Sequence, residues 1–303
     1  MTLPEPPSPP RLASPDLLAR LEGLPLRART VAEGVVAGLH KSPHHGRSVE
    51  FAEHKEYAPG DDVKRIDWKA YARRDRYYVR RYEDEVNLAA YLIVDASGSM
   101  EYGAPLDKLS YAKVLAAALA YLLVGQGDQV GALCFADGLR LDLPPRSNAS
   151  HFGEICRGFE AIAAGGGTDL AGALDAVAAR ARRADLVIIL SDLLSAGPAA
   201  IDRARLLGAR RCDVAVMHVL HPDELSLPFE GNLLFEDPED GRHVLAHAGT
   251  VRAAYLREVT RFQEDCRARL AEARVEYRLA NAGLAPEQAL VPFLAARARP
   301  SAR

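Results

Sequence analysis

The hydrophobic pattern of this chain alternates between short apolar runs and stretches of helical periodicity. Positions 88–94 are almost continuously apolar, and Asp95 ends the run. A run this short, apolar on both faces, predicts a buried central strand of a parallel sheet. From 108 to 124, Leu109, Ala112, Leu115, Ala116, Leu119, Leu122 and Leu123 recur at helical spacing. Positions 129–135 predict a strand, Asp137-Gly138 a tight hairpin turn, and 139–143 a return strand at a sheet edge. Further strands are expected at 186–190, 212–220 and 275–279, and helices at 150–163, 170–183, 197–207, 250–273 and 286–297. Positions 232–235 and 243–246, on either side of Asp237-Pro238-Glu239-Asp240-Gly241, predict an added hairpin. Strand–helix alternation of this kind predicts a doubly wound α/β fold, a mostly parallel sheet with helices on both faces and right-handed crossovers.

Ahead of the central strand the pattern is less regular. Positions 1–15 are proline-rich without apolar period and predict a disordered tail. Positions 16–39 carry Leu17, Leu18, Leu21, Leu24, Leu26, Val31, Val35 and Val36, broken near Gly23-Leu24-Pro25, which predicts two short helices packed on the body of the protein. A polar loop with His44 and His45 follows; two adjacent histidines without a third ligand read as a solvated loop. Positions 49–57 and 77–83 predict strands flanking the turn Pro59-Gly60-Asp61-Asp62. The domain division expected is a tail at 1–15, an extension at 16–87 packed on the core, and the α/β domain at 88–303.

Chemistry concentrates where the strands end. Asp95, Ser97 and Ser99 follow the central strand, where open α/β sheets place their ligands. One carboxylate and two hydroxyls at alternate positions offer three hard oxygens, a set suited to a small divalent cation. Taken alone, D-x-S-x-S is also an ordinary turn. Further on, Gly165-Gly166-Gly167-Thr168-Asp169 is a glycine loop with one threonine, and Asp192 ends the apolar strand 186–190 after Ser191. This ordered triple resembles the metal-ion-dependent adhesion site of von Willebrand factor type A domains. The resemblance implies Asp95, Ser97, Ser99, Thr168 and Asp192 as metal residues, with Mg²⁺ (or Mn²⁺) as cofactor. It also implies a Rossmann-like six-stranded sheet in the order 3-2-1-4-5-6, with strand 3 antiparallel at the edge. Leu193 stands where many members of that family have glycine.

The stretch from Gly46 to Met100 is similar to a second signature, that of the bacterial domain-of-unknown-function family numbered 58. It carries Glu50-Phe51, Tyr57, Pro59-Gly60-Asp61-Asp62, Ile66-Asp67-Trp68, Ala72-Arg73 and Val79-Arg80-Arg81-Tyr82-Glu83, immediately before the strand that ends at Asp95. Lys64-Arg65 replaces the usual arginine plus variable residue. That resemblance, spanning about 20–298, implies work beside a MoxR-type AAA+ ATPase as a chaperone-like assembly factor. Within this block, 64–81 holds eight basic residues against two acids, interleaved with Tyr71, Tyr77 and Tyr78, a pattern able to bind nucleic acid. The flanking acids Asp61, Asp62, Asp67 and Glu85 favour internal ion pairs instead, with Trp68 as an anchor in the core.

Composition narrows the classes. A net charge of −3 over 303 residues gives no general reason to expect nucleic acid. No signal-peptide core or apolar run of membrane length stands out, and Cys134, Cys156, Cys212 and Cys266 are scattered without a C-x-x-C, as in a reducing, cytoplasmic protein. Two functions then compete. One is a non-catalytic, metal-dependent protein-interaction module whose open coordination position accepts an Asp or Glu from a partner. The other is a metal-assisted hydrolase. No histidine adjoins Asp95, Thr168 or Asp192; His151, His218 and His221 are nearest in sequence, and His218 falls inside a strand. Around Ser97 the glycines of a nucleophile elbow are missing, and no phosphate-binding P-loop is present. The expected function is therefore an interaction module and not an enzyme.

Overall fold

The computed structural model describes residues 12–41, 54–56, 78–80, 89–238 and 241–297. Contacts divide the chain into two units: 40–87, and the remainder, comprising 1–39 with 88–303. In the first unit, His54–Glu56 (β1) pairs antiparallel with Tyr78–Arg80 (β2). The basic block at 64–81 (apart from β2), Trp68, the loop at His44 and the first eleven residues lie outside the described residues.

The larger unit is built on a six-stranded sheet. Its strands are β3 (Ala89–Asp95), β4 (Gln129–Phe135), β5 (Leu139–Arg146), β6 (Leu186–Ser191), β7 (Asp213–Leu220) and, last in the chain, β10 (Glu276–Asn281). The order across the sheet is β10-β7-β6-β3-β4-β5, the sequence-based expectation read from the other edge. All pairings are parallel except β4–β5, which forms the hairpin anticipated at Asp137-Gly138. β5 alternates exposed and half-buried residues and carries Pro144 and Pro145, a composition suited to an edge. β3, the central strand, is buried along its whole length.

Helices cover both faces. On one face pack α1 (Pro15–Arg20), α2 (Leu24–Lys41), α3 (Lys108–Gly125), α4 (Ala149–Glu160) and the C-terminal helix α9 (Glu287–Arg297). On the other pack α5 (Leu170–Ala178), α6 (Gly197–Ala209) and α8 (Ala248–Glu272). A short helix α7 (Pro222–Ser226) and an antiparallel ribbon of β8 (Asn232–Glu236) and β9 (His243–His247) join β7 to α8. By length and composition α3 could cross a membrane, but 61% of it is buried inside the fold, so its apolar surface is used as core.

The N-terminal helices differ from the expectation of two short ones, since α2 runs for 18 residues. Burial of Leu24, Ala28, Val31 and Val35 in the core cluster sustains it. The break falls at Gly23, whose φ of +79° is free only for glycine. Ser14 caps α1, and Ala13 is buried, its N–H donating to Glu287 Oε1 at 2.9 Å. Glu287 is 1% exposed, and its second oxygen has no hydrogen-bond partner among the described residues. Burial pushes its pKa up, against the pull of the Ala13 and helix N–H groups. Gly34 makes room for this carboxyl; a Cβ there would stand 2.6 Å from Oε1.

A group whose folded pKa is raised stabilises fully below its unfolded pKa and loses that contribution as pH rises through the folded value. Thermal stability of the parent is therefore expected to decline as pH rises above the ordinary carboxylate range. Glu287→Gln keeps the acceptor for Ala13 and should flatten that decline, leaving the variant more stable than the parent at neutral pH. Melting curves across pH 4–8 check this; parallel curves for the two proteins contradict it.

Candidate functional site

β3 and β6 lie side by side at the point where the strand order reverses; β3 ends in Asp95, and Asp192 directly follows the last residue of β6. Open α/β sheets form their ligand crevice at this position. Asp95 arrives there desolvated, 2% exposed. Burial and then the Asp192 carboxylate push its pKa up to about 6. Its Oδ1 accepts the Ser97 N–H at 2.9 Å, and its Oδ2 accepts the Ser191 hydroxyl at 2.6 Å. Ser97 then leads into a 3₁₀ turn, Gly98–Glu101, which folds Ser99 back beside it. The Ser97 and Ser99 hydroxyl oxygens lie 3.2 Å apart, both buried.

The glycine loop is laid directly against this turn. Gly98 N–H donates to Gly166 O and Gly165 N–H to Ala96 O, both at 2.9 Å. Gly166 has φ +80°, and a Cβ there would press on Arg140 and Asp137. Thr168 follows two residues later, half-buried, and Asp169 caps α5 by accepting the Gly172 N–H at 2.9 Å. Asp95, Ser97, Ser99 and Asp192 thus share one buried cluster, and two main-chain bonds fix the loop bearing Thr168 to its side.

Asp192 is not free. Its Oδ2 is 2.7 Å from Lys108 Nζ, and its Oδ1 accepts the Leu194 N–H at 3.2 Å. Lys108, 0% exposed, also reaches Glu224 Oε1 of α7 at 2.6 Å. Burial lowers the lysine pKa, but the two carboxylates outweigh it and the net shift is upward, so the ammonium stays charged. The segment after the serines is strapped to the same region: Tyr102 OH donates to Asp223 Oδ2 at 3.0 Å, and His221 Nε2 donates to Ala104 O at 3.1 Å.

Sequence reasoning missed Lys108, Glu224 and Ser191. A faint signal existed for Lys108. A lysine in the first turn of a helix opposes the helix dipole, so its presence there needs a reason. Ser191 was visible only as the residue before Asp192.

The nearest histidines have structural partners. His218 Nε2 donates to Asp192 O and its Nδ1 accepts from Tyr277 OH, both at 2.8 Å; burial pushes its pKa down to about 4. His151 Nε2 donates to Val130 O at 2.7 Å. All four cysteines are free, and burial raises the pKa of each thiol.

Among the described residues, no three His, Cys, Asp or Glu side chains form a metal cluster. A cation in this crevice would need the serine hydroxyls. The donor set fits a hard divalent ion: a buried carboxylate whose pKa is raised by a second carboxylate, with two hydroxyls beside it.

Replacing Lys108 with Met should destabilise the fold by about 3–5 kcal/mol, because it leaves Asp192 buried without its counter-charge. Asp95→Asn should act in the opposite direction in chelator-treated protein at pH 7, adding about 1–3 kcal/mol by removing an ionised group from a desolvated site. Denaturant titrations of both variants in chelator measure these signs; an Asp95→Asn loss of stability contradicts the account of the cluster.

Comparison with known proteins gives the following. The family model described as "Protein of unknown function DUF58" matches residues 53–265. The uncharacterized protein Rv1480 of Mycobacterium tuberculosis is 34% identical over 231 residues, covering 75% of this chain and 72% of its own. Among solved structures, the conserved hypothetical protein BatB from Bacteroides thetaiotaomicron is 18% identical with a TM-score of 0.46, covering 70% of this chain and 100% of its own. An aerotolerance-related membrane protein from Bacteroides fragilis is 19% identical with a TM-score of 0.45, covering 69% and 99%. A von Willebrand factor type A protein from Catenulispora acidiphila is 17% identical with a TM-score of 0.35, covering 44% and 33%.

Proposed function

This chain belongs to the DUF58 family, and from that premise we propose that it is a metal-dependent protein-interaction module without catalytic activity. The observation that carries the reading is the Asp95–Ser97–Ser99 cluster. A desolvated carboxylate and two hydroxyls 3.2 Å apart are held together at the switch point of the sheet, beside a second acid. In this reading Asp95, Ser97 and Ser99 hold Mg²⁺ or Mn²⁺, with Thr168 and Asp192 acting directly or through water. A partner's Asp or Glu fills the remaining position. The family resemblance adds a MoxR-type AAA+ ATPase as the machine this module serves.

A hydrolytic reading needs a base near the crevice. His218, His221 and His151 are each tied to a main-chain carbonyl, which favours the binding reading. Nucleic-acid binding through 64–81 rests on charge pattern alone.

Titration calorimetry with Mg²⁺ or Mn²⁺ should give binding in the parent and none in Asp95→Ala; equal affinity in the two sinks the metal site. Thr168→Ala should weaken capture of an acidic partner more than it weakens the ion, since water replaces one hydroxyl at modest cost. Co-purification with the ATPase should fail in chelator and return with Mg²⁺. Cell fractionation tests the cytoplasmic placement: recovery in the membrane pellet, the setting named for one of the structural neighbours, overturns it.

A further inference from the structure

On the second face of the sheet, an apolar cleft of 130 Å³ opens between α5, α6 and α8. Its walls begin where the polar site ends. Leu170 is two residues past Thr168, and Leu193 and Leu194 directly follow Asp192. Two of the three loops that carry candidate ligand residues therefore continue into cleft wall. Ile189 and Val216 from the sheet and Phe262 from α8 also line it. Among the described residues the charged lining groups are Asp265 and Arg269, which pair with each other at 2.8 Å.

The loop departs from an unstrained path to build this wall. Leu193 has φ +59°, a left-handed conformation that strains a non-glycine residue. In return its side chain is 92% removed from solvent, packed in the cluster beneath the cleft, while Leu194 stands 51% exposed. Size then selects the occupant. Ligand pockets for drug-sized molecules run to roughly 300–1,000 Å³. The cleft is closer to a cavity of about 150 Å³ that accepts one benzene ring. It holds one aliphatic or phenyl side chain.

We propose that this cleft takes an apolar side chain from the same partner segment that presents its carboxylate to the ion, so that the partner is recognised as an acid with a Leu, Ile or Phe a few positions away. The inference rests on the proposed metal-dependent binding, since it assigns a second contact to that partner. The ion fixes the acid, and the cleft supplies discrimination among acidic segments, because any exposed Asp or Glu would satisfy the ion alone.

Selection from a displayed random-peptide library in Mg²⁺ tests this. The expected result is enrichment of peptides with an Asp or Glu and an aliphatic or phenyl residue at fixed spacing. Ala196→Phe, which plugs the cleft from a partly exposed position, should lose the apolar requirement and bind the selected peptides about tenfold to a hundredfold more weakly, the worth of one buried side chain. Phe262→Ala should shift the preference to larger side chains. Calorimetry with Mn²⁺ should be unchanged in both, and melting curves verify their folding. Acidic peptides with no apolar position would overturn this inference and leave the metal reading standing. Absence of acid enrichment would overturn both. Apolar enrichment that persists in chelator would show the cleft working alone and overturn the coupling. A parent that sediments as a dimer while Ala196→Phe is a monomer would make a second copy the occupant, and overturn the proposal.

Discussion

Two carboxylates end neighbouring strands in a place that water barely reaches, and the surrounding structure is arranged to tolerate them. Asp95 and Asp192 are 2% and 1% exposed. An isolated buried charge is costly enough that a protein must pair it, hydrogen-bond it or neutralise it. Each device is used here. Ser191 and the Ser97 N–H hold Asp95, Lys108 and the Leu194 N–H hold Asp192, and Glu224 shares the same ammonium. The devices come from β6, the 3₁₀ turn, the start of α3 and α7, so satisfying the two acids also fixes where those elements begin.

The compensation is unequal. Asp192 has an ammonium at 2.7 Å, shared with Glu224, whereas Asp95 has only neutral donors. The pKa shift of Asp95 records that imbalance: burial and the facing acid raise it, and the hydrogen bonds do not cancel them. A cation entering the crevice would meet one uncompensated carboxylate and two hydroxyls. Ligand charge count tunes affinity for hard cations, and fewer charged ligands mean weaker hold. An ion held this way keeps electrophilic character for an additional anionic ligand, a property that a recruitment site needs and a purely structural ion does not.

Much of this was legible in the chain. The apolar run ending at Asp95, the Asp137-Gly138 hairpin and the long apolar stretch of α3 each follow from local pattern, because burial on both faces, a two-residue turn and a core helix leave direct marks on sequence. The strand order did not follow from pattern; it came from the adhesion-site resemblance, and β3 beside β6 then brought Asp95 and Asp192 together. Lys108 left only a faint mark, because a lysine at a helix start reads as surface until tertiary packing closes over it. The length of α2 was missed for a similar reason. Gly34 and Gly38 lower helix propensity, and only packing against α9, where Glu287 and Val291 occupy the space a Cβ would need, makes them favourable.

Leu193 joins the polar and apolar halves of this edge of the sheet. It follows the acid that ends β6, takes a left-handed backbone conformation, and turns a bulky side chain into the cluster under α5, α6 and α8. A glycine would adopt that φ without strain but would bury nothing. Leucine in such a position means that the loop holding Asp192 is braced by apolar packing as well as by Lys108. Force on either brace must be felt at the other, since Asp192 and Leu193 are adjacent in the chain. The position of the acid and the packing of the apolar cluster are therefore linked by covalent geometry, over a distance too short to require any larger movement of the sheet.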